Sequence, residues 1–250
     1  MRVAVVTGGS SGIGAAVARL LTGRGWHCIL LARGGERLTE VAAGLGAEPE
    51  VCDVGDREAV ERVAVAVLER HPKIDLLVNN AGIPGRTGFL DANASRIVSV
   101  TNVNYLGCVW CLRAFLPALE AACPSHVVNV VSVAGTVSGA GTSGLYTASK
   151  HAQLAFSRSV AAELRPRGIA VHTVLPGFVE TEGFPQRSVL PRLAHPFVIE
   201  ADDVARAVLR AVERDRREVH VPHYYRLATL AQAIVPGIVA RVGGRMQKPA

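Results

Sequence analysis

The sequence predicts an α/β fold, a single doubly wound parallel β-sheet with helices on both faces. Three observations predict it. Short apolar runs alternate with stretches of helical periodicity along most of the chain, with no linker between them. The runs are apolar at successive positions rather than at every second one, the pattern of strands buried on both faces and so paired in parallel. A glycine-rich turn joins the first run to the first helical stretch, where such sheets hold anionic ligands.

The elements follow in order. Residues 2–7 form a β-branched strand, and from about Gly12 to Gly25 the apolar positions Ile13, Val17, Leu20 and Leu21 recur at helical spacing. Residues 27–32 are the second strand, and 36–45 a helix with Leu38, Val41, Ala42 and Leu45 on one face. A third strand at Glu50–Cys52 precedes a helix from about Asp56 to Arg70, and Ile74–Asn79 is the fourth strand. A long helix is expected over 95–121 with Pro117 in its last turns, then a strand from His126 to Ser132 and a helix over 145–165. Strand 169–175, helix 202–213 and a last strand at Glu218–Val221 complete the pattern. The uninterrupted alternation makes residues 1–222 one domain and leaves 223–250 as a tail.

Composition narrows the function. The 250 residues are 49% hydrophobic and 19% charged, which excludes a disordered or collagen-like chain. The net charge of +6 invites an anionic partner, but a nucleic-acid binder needs a clustered basic stripe with interleaved aromatics. The 2 Trp, 4 Tyr and 6 Phe are scattered, and the arginines of Arg206–Arg217 alternate with apolar positions as on a solvated helix face. No uninterrupted apolar run reaches about 18 residues, and the first residues lack a signal-peptide pattern, so a cytoplasmic location is expected. Cys28, Cys52, Cys108, Cys111 and Cys123 lie in apolar segments and are read as reduced core thiols. Cys108 and Cys111 have no second pair, and neither do His220 and His223, so no metal site is read from the sequence.

The motifs point to a dinucleotide. In the turn Thr7–Gly14, Gly8 permits a tight bend, Gly12 lets the backbone approach a pyrophosphate, and Gly14 lets helix and strand pack closely. The N-terminus of the following helix offers free N–H groups to the anion. The second strand ends in Arg33, where an NAD-binding fold carries a carboxylate, and a guanidinium there pairs with a 2′-phosphate; NADP is therefore expected over NAD. Stacking of Arg33 on adenine is the alternative. Asp53, after the third strand, suits the adenine amino group, with Asp56 the better helix cap.

Tyr146 and Lys150 stand four apart on one helix face. An ammonium beside a phenol stabilises the phenolate and lowers its pKa, making a proton donor and acceptor. Taken alone the pair would be a solvated one. Ser132 at the end of the fifth strand, Asn104 on the preceding long helix and Asn79–Gly82 at the end of the fourth strand bring further polar groups to the same crevice.

Together these residues resemble the short-chain dehydrogenase/reductase family over roughly residues 2–215: T-G-x-x-x-G-I-G at 7–14, N-N-A-G at 79–82, Asn104, Ser132, Y-x-x-x-K at 146–150 and P-G-x-V-x-T at 176–181. The resemblance implies a seven-stranded Rossmann-like sheet and hydride transfer between a nicotinamide and a carbonyl or alcohol carbon. It implies Tyr146 as general acid and base, Lys150 as the group that lowers the Tyr146 pKa and holds the nicotinamide ribose, and Ser132 as the holder of the substrate oxygen. Asn104 would position a water linking Lys150 to solvent. Ser10, Ser11 and Ile13 would line the phosphates, and Asp53 and Val54 would hold adenine. Asn80, Ala81 and Gly82 would border the adenosine ribose, and Pro176, Gly177, Val179 and Thr181 the carboxamide. Two features depart from the family. Ser132 and Tyr146 are one position further apart than is commonest, across the glycines 135, 139, 141 and 144, and Glu218–Pro222 replaces the usual last strand with its Asp-Gly-Gly ending. The second puts a tetramer in doubt and leaves a homodimer expected.

The tail alternates apolar positions (Leu227, Leu230, Ile234, Ile238) with Arg226, Arg241 and Arg245, and Pro236 interrupts it. It is expected to dock on the domain or a partner subunit, with a peripheral membrane contact as the sharper reading. Phe184, Leu190, Leu193 and Phe197, interleaved with prolines between Phe178 and Glu200, suggest a lid over a lipophilic ketone or secondary alcohol. Two other functions stay open: a non-catalytic NADP(H) redox sensor, and an epimerase or dehydratase on the same scaffold.

Overall fold

The structure, a computed structural model, describes residues 1–85, 89–138 and 144–246. The chain begins β1 (Val3–Thr7), α1 (Gly12–Thr22), β2 (His27–Ala32), α2 (Gly35–Leu45), β3 (Glu48–Val51), α3 (Arg57–Arg70) and β4 (Leu76–Asn79). It continues through α4 (Ala94–Thr101), α5 (Gly107–Ala122), β5 (Ser125–Val130), α6 (Gly144–Leu164) and β6 (Ile169–Pro176). The short strands β7 (Val179–Glu180) and β8 (Ile199–Glu200) precede α7 (Ala201–Glu213), β9 (Glu218–Val221), α8 (Tyr225–Ile234) and α9 (Pro236–Met246).

Seven strands form one parallel sheet in the order β3-β2-β1-β4-β5-β6-β9. The expected doubly wound α/β fold is present, and Glu218–Val221 takes the seventh place. Every residue of β1, β4 and β6 is buried, as their unbroken apolar runs require. Edge strand β3 instead alternates half-buried Glu48 and Glu50 with exposed Pro49 and Val51, which suits a strand with one unpaired side. One core layer holds α1, α2 and α7 against the sheet through Val17, Leu21, Leu38 and Val208. The other holds α3, α5 and α6 through Val60, Val67, Phe115 and Val160.

Helix starts follow their caps. Asp56 accepts from the N–H groups of Glu58 and Ala59 at the start of α3, as expected, and Asn93 accepts from Arg96 N–H at the start of α4. Glu200 and Asp203 form a reciprocal capping box on α7.

The long helix expected over 95–121 runs from Ala94 to Ala122 but is not uniform. A π-helical segment, Asn102–Leu106, separates α4 from α5. Among the described residues this is the one helix long and apolar enough to cross a membrane. Its apolar residues Cys111, Phe115 and Leu119 pack into the core between the sheet and α3. Four of the five cysteines are buried, but Cys123, expected in the core, is exposed, because it ends α5 at the surface. Gly139 and Gly141 of the expected glycine-rich loop lie outside the described residues.

Candidate active site

The polar groups named from the sequence meet at the carboxyl ends of the strands, in a cleft of about 760 Å³. It opens where the strand order reverses between β1 and β4, the position at which doubly wound sheets bind ligands. Gly8, Ser10, Ser11, Gly12 and Ile13 line one end, with Arg33, Asp53 and Val54 beside them. Asn80, Ala81 and Gly82 line the middle, and Ser132, Tyr146 and Lys150 stand opposite Pro176, Gly177, Val179 and Thr181. Of the expected site residues, only Gly14 and Asn104 do not line the cleft; each lies behind its wall.

The glycine turn fits a dinucleotide. A Cβ on Gly14 would fall 2.1 Å from the Gly8 carbonyl oxygen, so only glycine lets α1 start this close to β1. Gly12 has φ +52, a left-handed conformation that glycine adopts without strain. The Ser11 hydroxyl makes no capping bond, so the opening N–H groups of α1 are left for an anion. The chain thus provides a backbone cradle, a positive helix end and Arg33 in one trough. Arg33 Nη1 lies 4.0 Å from Asp53 Oδ2, a loose and exposed pair that leaves the guanidinium available.

Thr7, which opens the glycine motif and has no role of its own in the sequence reading, braces this trough. Its hydroxyl accepts from both Asn80 N–H and Ala81 N–H at 3.0 Å and donates to Val78 C=O at 3.3 Å, while Asn80 Nδ2 donates to Thr7 C=O at 3.0 Å. The ends of β1 and β4 are locked together there. A threonine at a strand end looks like ordinary β-propensity, so only its neighbours reveal the role. Below it, buried Asn79, Asn129, Ser157 and Thr173 pass hydrogen bonds across three strands and α6.

Ser132, expected to end β5, lies two residues beyond it. Its hydroxyl accepts from Ala134 N–H at 3.1 Å, donates to Pro176 C=O at 3.5 Å and is hydrogen-bonded to the Tyr146 phenol. The Lys150 ammonium is buried, 5.9 Å from the Tyr146 ring centre, and donates to Gln153 Oε1 at 2.8 Å and Val130 C=O at 3.3 Å. The expected lowering of the Tyr146 pKa by Lys150 is not present in this geometry. Burial pushes the phenol up to about 12, opposed only by the Ser132 hydrogen bond. Burial also draws the Lys150 ammonium down to about 8. The ammonium gives its hydrogen bonds to a backbone carbonyl and an amide oxygen.

Asn104 sits inside the π-helical segment, fully buried. Its side chain accepts from Ile83 N–H at 2.8 Å, donates to Ile83 C=O at 3.1 Å and donates to Ser149 Oγ at 3.1 Å. It thereby fixes the segment that carries Gly82 beside Lys150. π-turns recur at functional positions because the widened turn re-aims a side chain and frees backbone groups.

The lid and the tail complete the walls. Phe184 packs on the Tyr146 ring at 6.1 Å between centroids, and Val189 and Leu190 line the cleft. The β7–β8 pair closes the base of this lid, and Arg37 pairs with its Glu182 while donating to Ser10 C=O. Tyr225 and Ala228 of α8 also line the cleft. α8 is held by a chain in which Thr229 Oγ1 lies 2.8 Å from Thr136 Oγ1 and 3.0 Å from His220 Nε2. No motif signals that Tyr225 reaches Gly177. Tail residues Leu227 and Ile234, at 70% and 75% exposure, face away from the domain.

Comparison with known proteins agrees with this geometry. The family described as short chain dehydrogenase matches residues 2–188. The 1-deoxy-11-beta-hydroxypentalenate dehydrogenase of Streptomyces exfoliatus is 37% identical over 86% of this chain and 81% of its own length. The farnesol dehydrogenase of Aedes aegypti is 36% identical over 83% of this chain and 88% of its own. Among solved structures, an actinorhodin polyketide ketoreductase with NADPH superposes with a TM-score of 0.80 at 29% identity, covering 88% of this chain and 95% of its own. An alcohol dehydrogenase from the archaeon Thermococcus sibiricus, complexed with 5-hydroxy-NADP, gives 0.76 at 29% identity, covering 88% and 94%.

Proposed function

The chain belongs to the short chain dehydrogenase family of oxidoreductases, and on that premise we propose that it is an NADP(H)-dependent enzyme interconverting a lipophilic ketone and its secondary alcohol. The bound nicotinamide would supply or accept the hydride. Tyr146 would give its phenolic proton to the carbonyl oxygen during reduction and take it back during oxidation. The neutral phenol favoured by burial is the form a proton donor needs. Ser132, on the same phenol, would hold the substrate oxygen within reach. Lys150 would hold the nicotinamide ribose hydroxyls, and Asn104 would position the backbone and water beside it.

The observation that carries this reading is that Arg33, Ser132, Tyr146 and Lys150 line one cleft. Arg33 supports NADP over NAD, since no carboxylate stands at the end of β2 to repel a 2′-phosphate. The apolar lid residues Phe184, Val189 and Leu190 support a lipophilic substrate.

The test is NADPH consumption against a panel of apolar ketones, and NADP reduction with the matching alcohols. Turnover is expected in the unmodified chain and lost in Tyr146→Phe, with NADPH binding retained. Cofactor binding without turnover of any carbonyl would favour the redox sensor, and product formed without net redox change would favour an epimerase or dehydratase.

A further inference from the structure

Three side chains outside the cleft come together from separate elements. His27 opens β2, Glu48 opens β3, and His71 ends α3. The strand period places His27 on the same face as Ile29, and Ile29 is the register partner of Glu48. That face is the one α3 covers, so His71, the residue capping the carboxyl end of α3, falls beside them.

Glu48 Oε1 lies 2.7 Å from His27 Nε2 and 2.9 Å from His71 Nε2. Its other oxygen, Oε2, lies 3.4 Å from the Arg70 guanidinium, which also pairs with Glu50. Arginine thus holds one carboxylate oxygen and leaves the other between two imidazoles. The His27, Glu48 and His71 side chains are 19%, 32% and 17% exposed, sheltered yet open to solvent on one side.

One donor atom from each residue lies within 4.8 Å of the other two. Around a tetrahedral ion with bonds of about 2.0–2.1 Å, donor atoms stand about 3.3 Å apart and two imidazole centroids about 5 Å apart. The His27 and His71 ring centroids are 4.9 Å apart. Two imidazole nitrogens with one carboxylate oxygen are the donor set of borderline divalent ions.

The geometry points to a divalent transition-metal site of the zinc class built by His27, Glu48 and His71, with water as the fourth ligand. It lies at the amino-terminal edge of the sheet, whereas the catalytic cleft opens at the carboxyl ends of the strands. Its role is a cross-link between β2, β3 and the end of α3. Each imidazole now directs Nε2 at the carboxylate. On binding, its hydrogen resides on Nδ1, so neutral histidines take the ion without releasing a proton. Spacing motifs miss this site because 21 and 23 residues separate Glu48 from its two partners.

The test is calorimetric titration of the metal-stripped full chain with Zn²⁺ alone. One ion per chain and a raised Tm are expected. His71→Ala and Glu48→Gln should each weaken Zn²⁺ at least tenfold while NADPH binding stays unchanged, which also reports that the variants fold. Absence of saturable binding, or equal affinity in the variants, overturns the site. Cobalt on the unmodified chain gives a check independent of any variant. Tetrahedral visible bands without sulfur charge transfer support the site, and a thiolate band, which would move the ion to a cysteine, refutes it.

Discussion

The side-chain amide of Asn104 grips both backbone groups of Ile83, accepting from its N–H at 2.8 Å and donating to its C=O at 3.1 Å. A helix residue thereby sets the course of the loop after β4. Asn104→Leu would leave both groups of Ile83 without these bonds, at a cost of about 1–3 kcal/mol. We expect a lower denaturant midpoint together with a fall in kcat/KM. Ser149→Ala removes the 3.1 Å bond from Asn104 and the 2.7 Å bond to Tyr146 C=O but leaves both bonds to Ile83 in place, and should retain most of both. Equal damage from the two variants would count against the Ile83 clamp.

Lys150 carries a pH signature. Its folded-state pKa is drawn down to about 8 by burial, below its ordinary value of 10.5. Between these values the unfolded chain binds the extra proton, so stability rises with pH across this window. Below about 8 the lysine is charged in both states and its contribution is flat. Equilibrium unfolding from pH 7 to 10.5 should show a rise on the order of a few kcal/mol from this group. Lys150→Met should remove that rise. An unchanged profile in the variant would assign it to another group.

Arg33 should separate the two cofactors. Charge-assisted bonds to a phosphate contribute about 1.5–3 kcal/mol, so Arg33→Ala should weaken NADPH roughly 10–100-fold. NADH, without the 2′-phosphate, should weaken far less. Fluorescence titration with both cofactors measures the difference. Equal weakening would support adenine stacking instead.

Gly177 and Tyr225 should behave as a coupled pair. A Cβ on Gly177 would fall 2.0 Å from the Tyr225 ring, so Gly177→Ala must displace that ring and the start of α8. We expect a raised KM for bulky ketones and a lower Tm. Tyr225→Ala in the same chain should recover part of the Tm loss, a non-additivity that a double-mutant cycle reads directly.

Much of this was legible in the residues. The strand run at 27–32 stands where its apolar residues put it, and the alternating Glu218–Val221 pairs beside β6 as the edge strand. The glycine turn, Arg33, Ser132, Tyr146 and Lys150 converge because they sit at strand ends or on the helix beside them. What stayed hidden depends on contacts between distant segments. The π-turn around Asn104 has the same apolar periodicity as an ordinary helix. The Tyr146–Lys150 spacing fixed a shared helix face but not the ammonium's partners, and Gln153, one turn on, accepts its hydrogen bond. The bracing by Thr7 and the reach of Tyr225 to Gly177 leave no local signature at all.

The chain of hydroxyls from Thr136 through Thr229 to His220 has a consequence for biosynthesis. The ribosome releases the glycine turn, Ser132 and Tyr146 well before it releases Tyr225, Ala228 and Thr229. A nascent polypeptide can therefore assemble β1 to β6 around the trough while one side of the cleft is still open. Only when the final helices dock is that side closed.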